Sequence, residues 1–181
     1  MSDKAAIESW LAEKNLSVSL EQIDKLLAYL DLIREAAHRM NLISKNDLPH
    51  ILKRHLLDSL LALAIFEFPP LARVADLGSG AGFPGIPIAI ARQNIEMTLI
   101  ESRRLKALFL KSVCDKLGLD NCTVTHDRWE NVDSSFDMIL VRAVYRETQL
   151  ETAVLPKLNP EGALIYYRKF NDIKILRKCF T

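Results

Sequence analysis

Apolar residues early in the chain recur at helical spacing. Ile23, Leu26, Leu27, Leu30 and Ile33 share one helix face, and Ser19, with Glu21 and Gln22 behind it, marks a start. A second helix is expected from Asp47 as N-cap, with Pro49 in the first turn, where a missing N–H does no harm. It carries Ile51, Leu52, Leu56, Leu60 and Leu63 on one side and stops before Pro69-Pro70. After the prolines the rhythm changes. Short apolar runs at Val74–Leu77, Met97–Ile100, Thr123–Thr125, Met138–Val141 and Ala163–Tyr166 predict buried strands. Between them lie helical stretches. The clearest is Arg103–Leu117, with Leu105, Leu108, Phe109, Val113 and Leu117 on one face and Gly118 as its stop. Near the end, Asp172 is expected to cap a short helix carrying Ile173, Leu176 and Phe180. Strands alternating with helices predict an α/β fold, a parallel sheet with right-handed crossovers. The expected division is a helical extension over residues 1–69 and an α/β domain over 70–181.

Composition narrows the class. With 181 residues, 49% hydrophobic and 26% charged, the chain has globular values, which exclude disordered and collagen-like proteins. The longest apolar run, Leu60–Phe66, is too short to span a bilayer, so no membrane association is expected. Met1-Ser2-Asp3-Lys4 does not open a secretory signal. Cys114, Cys122 and Cys179 cannot all pair and lack CxxC spacing, which fits a reduced, cytoplasmic protein. A net charge of +1 excludes a polybasic nucleic-acid coat. Basic residues nevertheless cluster at Arg103, Arg104 and Lys106, and again at Arg168, Lys169, Lys174, Arg177 and Lys178. Either cluster could draw a phosphate-bearing partner or serve as a solvated helix face.

The most informative stretch is Val74-Ala75-Asp76-Leu77-Gly78-Ser79-Gly80-Ala81-Gly82-Phe83-Pro84-Gly85. A strand runs into a loop with alternate glycines and then into a helix opened by Pro84. Glycines let backbone approach a ligand and take positive φ. In an open parallel sheet, the carboxyl edge is where ligands bind. Two registers fit. Gly80 to Gly85 matches GxGxxG, the dinucleotide pattern of an NAD(P)-dependent oxidoreductase, but leaves Gly78 and Asp76 without roles. The other register runs from Asp76 through Gly78, Ser79, Gly80 and Gly82 and resembles the acidic-x-Gly-x-Gly-x-Gly signature of class I S-adenosyl-L-methionine-dependent methyltransferases. There an acid can face the cofactor's ammonium. Glu101, followed by Ser102, ends the next strand, where a carboxylate can accept both ribose hydroxyls.

Further motifs narrow the resemblance. Met40-Asn41-Leu42-Ile43, Arg54-His55-Leu56-Leu57-Asp58-Ser59-Leu60, Asp76 through Pro87, Arg128-Trp129-Glu130 and Arg142-Ala143 occur in order. Together they resemble the bacterial glucose-inhibited division protein B family, over roughly residues 20 to 168. The resemblance implies a Rossmann-like, doubly wound methyltransferase domain behind a helical extension. It implies methylation of N7 of one guanine in small-subunit (16S) ribosomal RNA. It also places cofactor contacts on Gly78, Phe83, Trp129, Glu130 and Arg142, with a small residue usual at position 129. Members normally continue well past the strand at Ala163–Tyr166, so a shortened domain or an open sheet edge is expected here.

The chemistry is undemanding. Guanine N7 has an in-plane lone pair and no proton, so no general base is needed; positioning is the protein's contribution. Arg142 is expected at the reaction edge, on substrate phosphate or the guanine O6/N7 edge, or else paired with a nearby acid. The sequence Val141-Arg142-Ala143-Val144 is not an amine-methylating Asn/Asp-Pro-Pro-Tyr/Phe motif, and no proline precedes a cysteine nucleophile. Arg54, His55, Asp58 and Ser59 lie within two turns of one helix and cannot converge as a hydrolytic relay. Arg54, His55, Arg103, Arg104 and Lys106 are the RNA-facing candidates. His38, His50 and His126 lack metal-ligand spacing, so no metal is expected. Expected partners are ribosomal RNA or a ribosomal particle, met as a monomer. The rivals are the oxidoreductase and an inactive, cofactor-binding, ribosome-associated protein.

Overall fold

The computed structural model describes residues 1–37, 39–142 and 152–178. His38, Ala143, Val144, Cys179 and Phe180 lie outside the described residues. Helix α1 (Asp3–Glu13) opens with Ser2 accepting the Ala5 N–H, and α2 (Leu20–Ala37) follows. Ser19 begins α2 as expected. Its Oγ accepts the Gln22 N–H at 3.2 Å while Gln22 Oε1 accepts the Ser19 N–H at 2.8 Å, a reciprocal cap.

The expected second helix is wound in three ways. Leu48–His50 is a 3-10 turn, Leu52–Leu57 a wide π-type turn, and Asp58–Ile65 a regular helix, α3. Asp47 does not cap it. Its carboxylate accepts from Ser44 and from Arg54 instead, leaving the first turn to tighten.

The five predicted strands all form. They are β1 (Arg73–Leu77), β2 (Glu96–Ile100), β3 (Cys122–Thr125), β4 (Phe136–Arg142) and β5 (Leu158–Lys169). Helix α4 (Gly85–Ala91) joins β1 to β2, and α5 (Arg104–Leu117) joins β2 to β3. Pro84 is the N-cap of α4, so Pro87 lies in the first turn, where no intrahelical bond is lost. On α5 the expected face is rotated. Ala107, Leu110, Val113, Cys114 and Leu117 are buried, whereas Leu105 and Leu108 are exposed. Gly118 ends α5 in left-handed conformation at φ 58°.

The end of the chain corrects the sequence reading. Residues Asp172–Arg177 form a strand, β6, antiparallel to β5, and not a helix. Ile173 and Ile175 alternate with Lys174 and pair with Tyr167 and Ile165, and Asn171 makes the turn at φ 57°. The unpaired edge of β5 supplies partners that an isolated helical turn lacks. The sheet order is β3-β2-β1-β4-β5-β6.

Residue parity then sets the two faces. Val74, Met97, Leu99, Met138, Leu140, Ile165 and Tyr167 point to the helices, in one continuous core with Ile7, Leu26, Leu30, Leu56 and Leu60. Ala75, Leu77, Ile100, Ile139, Val141 and Leu164 face the other way, under Trp129 and Val154. The described end of the β4 to β5 connection, with Val154 and Leu155, thus lies on the second face, and the sheet is doubly wound. Among the described residues no helix is long and apolar enough to cross a membrane.

Candidate functional site

From β1 the chain winds outward through β2 and β3, and then returns to β4 on the other side. The switch point lies between β1 and β4, the place where an open parallel sheet binds ligands. Leu77 pairs with Val141 there, so Gly78 and Arg142, one residue further along each strand, flank it.

Three loop glycines, Gly78, Gly80 and Gly82, take positive φ. Their surroundings differ. A Cβ on Gly82 would stand 2.6 Å from Ile86 and 2.8 Å from the Tyr29 hydroxyl. One on Gly80 would meet nothing nearer than Gly78 O at 3.7 Å and Lys106 Nζ at 4.0 Å. Gly82 is therefore needed by the packing beneath the loop, and Gly80 opens onto free space. Tyr29, on α2, braces the loop from below by donating to Ala81 O at 2.9 Å. Phe83 is buried, its ring 5.2 Å from Tyr29 and 5.3 Å from His55, so it packs into the helical layer.

The acids divide. Glu101, buried at the end of β2, accepts the Gly80 N–H at 2.9 Å and the Arg103 N–H at 2.7 Å. A carboxylate has about four acceptor positions, so two remain for hydroxyl donors. Asp76 shares the inward parity of Val74, and its carboxylate is 1% exposed. The expectation that it faces a ligand's ammonium is not what the geometry gives. Its Oδ2 accepts the Gly85 N–H at 3.1 Å, tying strand to helix, and burial pushes its carboxyl up to about 7. Ser79 is also turned inward, donating to Asp76 O at 2.9 Å.

A cleft of about 270 Å³ opens beside the loop, lined by Gly78, Ile100, Ser102, Asp127, Arg128, Trp129 and Glu130. Its apolar wall is Ile100 and Trp129, and acids stand at its rim. That combination suits a purine nucleoside, with Glu101 nearby for the sugar. A larger cleft of about 450 Å³, lined by Phe66, Leu71, Asp137 and Arg177 among others, lies at the amino edge and holds none of the candidate residues.

Arg142 is the point where sheet and helices meet. Its guanidinium pairs with Asp58 at 3.0 Å and donates to the carbonyls of Arg54 and His55 in the π-type turn. Burial, reinforced by Arg142, lowers His55 to about 4, leaving a neutral ring. Its Nε2 is buried with no hydrogen-bond partner among the described residues. Ser59 donates to His55 O, so no relay forms in this segment. The Arg54 side chain is exposed and pairs with Asp47 at 3.0 Å. Arg103 and Arg104 are exposed at the start of α5, with Lys106 leaning toward Gly80. The RNA-facing candidates thus stand on two sides of one sheet edge. Sequence reasoning missed the hydrogen bond of Tyr29 and the ion pair of Asp58. Strand parity was the available signal for the inward turn of Asp76.

The fold is that of the class I S-adenosylmethionine-dependent methyltransferases. A methyltransferase of this class from Aquifex aeolicus superposes with a TM-score of 0.55 at 19% identity, covering 67% of this chain and 68% of that one. Coclaurine N-methyltransferase bound to N-methylheliamine and SAH gives 0.58 at 15% identity, covering 90% and 56%. The chain belongs to the rRNA small subunit methyltransferase G family, whose model matches residues 22–178. The ribosomal RNA small subunit methyltransferase G of Clostridium botulinum (strain Eklund 17B / Type B) is 37% identical over 156 residues. That stretch is 83% of this chain, and the chain spans 65% of the relative's length. The protein of the same name from Bacillus subtilis (strain 168) is 32% identical over 163 residues, 87% of this chain and 68% of that one.

Proposed function

We propose that this chain binds S-adenosyl-L-methionine across the glycine loop and transfers its methyl group to N7 of a guanine in small-subunit ribosomal RNA. The observation that carries the reading is Glu101, buried at the strand end and hydrogen-bonded to Gly80 N–H on the loop's open side. A carboxylate on that amide suits a sugar and opposes a pyrophosphate, which would need the same N–H. This disfavours the dinucleotide reading.

Glu101 accepts the ribose hydroxyls, Trp129 packs against the adenine and Glu130 accepts from its exocyclic amine. Gly78 and Gly80 admit the ligand close to backbone, and Ser102 lines the same cleft. Asp76, Ser79, Gly82 and Phe83 act beneath, fixing the loop's shape. When bound, the cofactor supplies an electrophilic methyl group on a sulfonium. Arg142, at the switch point, orients the guanine edge-on, unstacked from its neighbours. No side chain has to move a proton, because N7 offers a free lone pair. Arg54, Arg103, Arg104 and Lys106 engage RNA phosphates around the opening. His55, neutral and packed on Phe83, supports the turn that carries Arg54.

Label transfer from methyl-tritiated S-adenosylmethionine to small-subunit ribosomal RNA, free and in particles, tests the reading. Modified guanines are then mapped by their alkali-labile sites. Label at one N7 is expected. Cofactor binding without label would favour an inactive, RNA-associated protein, and nicotinamide binding in its place would favour the oxidoreductase.

A further inference from the structure

Asp58 is the most buried charged side chain of the helical layer that touches the opposite edge of the site. Its carboxylate is 1% exposed, whereas Arg142 keeps 18% of its side chain accessible. The arginine can therefore reach a ligand and the aspartate cannot. Three groups hold Asp58 in place or extend its grip. Oδ2 forms an ion pair with Arg142 Nη2 at 3.0 Å but has no hydrogen-bond partner among the described residues, and Oδ1 accepts the Asn171 N–H of the β5–β6 turn at 2.7 Å. Tyr167, whose ring lies 5.9 Å under the Arg142 guanidinium, donates its hydroxyl to Ser59 O at 2.7 Å.

The π-type turn completes the cage. The Arg54 carbonyl accepts from the Arg142 guanidinium, and the His55 carbonyl, which also accepts the Asp58 N–H and the Ser59 hydroxyl, does so at 3.4 Å. Three parts of the chain thus meet one cation, the π-type turn, the first residue of α3 and β5, and the β5–β6 turn holds the aspartate. A surface ion pair would have no need of such an arrangement. Burying a carboxylate to hold an arginine is costly, and removing either partner leaves the other charge stranded.

We infer that Asp58 is a positioning residue for methyl transfer: with the carbonyls of Arg54 and His55 it fixes the Arg142 guanidinium at the switch point, so that the helical extension completes the site. The inference rests on the proposed function for its catalytic consequence, but its structural part stands apart. The guanidinium has a defined orientation before any ligand arrives, which lowers the ordering cost at the reacting edge. It also explains why a methyltransferase domain keeps this extension pressed against β4.

The test combines a spectroscopic signature with a double-mutant cycle. In ¹⁵N NMR of the whole chain, the Arg142 Nη groups are expected to rotate slowly about Cζ–Nε in the wild type and freely in Asp58→Asn, with the fold retained by circular dichroism. Asp58→Asn is expected to lower kcat for RNA methylation about tenfold to hundredfold with little change in cofactor affinity. Arg142→Ala combined with Asp58→Asn is expected to be no slower than Arg142→Ala alone. Free rotation in the wild type, an unchanged kcat in Asp58→Asn, or multiplied losses in the double variant would overturn the inference. Loss of stability with multiplied rate effects would mark Asp58 as a packing residue only. If the wild type itself transfers no label while its Arg142 is held, the proposed function fails and the catalytic part of the inference falls with it.

Discussion

At the residue scale, two titrating groups, buried Asp76 and half-buried His55, act in opposite directions. Asp76 has its carboxyl raised to about 7 by burial, and His55 is lowered to about 4 by burial and by Arg142. From pH 4 to 7 the folded Asp76 holds a proton that the unfolded chain releases, so its contribution to stability falls as pH rises. From pH 6.5 down to 4 the unfolded His55 takes up a proton that the folded ring refuses, so its contribution falls as pH drops. The two slopes oppose one another. Urea melts between pH 4.5 and 6.5 should show stability rising with pH in Asp76→Asn and falling with pH in His55→Gln, relative to the wild type. The glycines offer a second contrast. Gly80→Ala should cost only about 1–2 kcal/mol of stability, from positive φ, yet weaken S-adenosylmethionine binding measured by calorimetry. Gly82→Ala adds a clash with Ile86 and Tyr29 and should cost about 3 kcal/mol or more in thermal melts.

At the scale of elements, α2 is more than a cover for the sheet. It delivers the Tyr29 hydroxyl to Ala81 O, inside the loop whose outer side is free. Tyr29→Phe keeps the ring contact with Phe83 and removes that bond. A loss of about 1 kcal/mol in stability is expected, with a weaker cofactor affinity by calorimetry because the loop is less rigidly presented. The segment from Leu48 to Ile65 is likewise three windings in one, and its middle turn carries the Arg54 and His55 carbonyls that accept from Arg142.

At the scale of the molecule, helices and sheet share one core running from Ile7 to Tyr167. Leu30 is fully buried within it. Leu30→Ala should therefore destabilise the whole protein by about 2–5 kcal/mol. Trp10 stands on α1 and Trp129 at the cleft, so single-tryptophan variants report on the two parts separately. Both should lose their native fluorescence in one coincident transition. Separate transitions would show that the extension folds alone.

The sequence by itself determined the strands, the crossover helices and the glycine bend, because each rests on local demands: apolar period, caps and positive φ. The family motifs also named Arg142, Trp129 and Glu130 as site residues. What only tertiary structure decided were the groups whose partners are far away in the chain. Asp58 meets Arg142, Tyr29 meets Ala81, and Asp172–Arg177 is a strand because β5 had an edge to fill. Asp76 turned inward because strand parity and the helix above it outweighed its charge. Local chemistry can be read along a chain, whereas burial and ion pairing depend on what the fold sets opposite each residue.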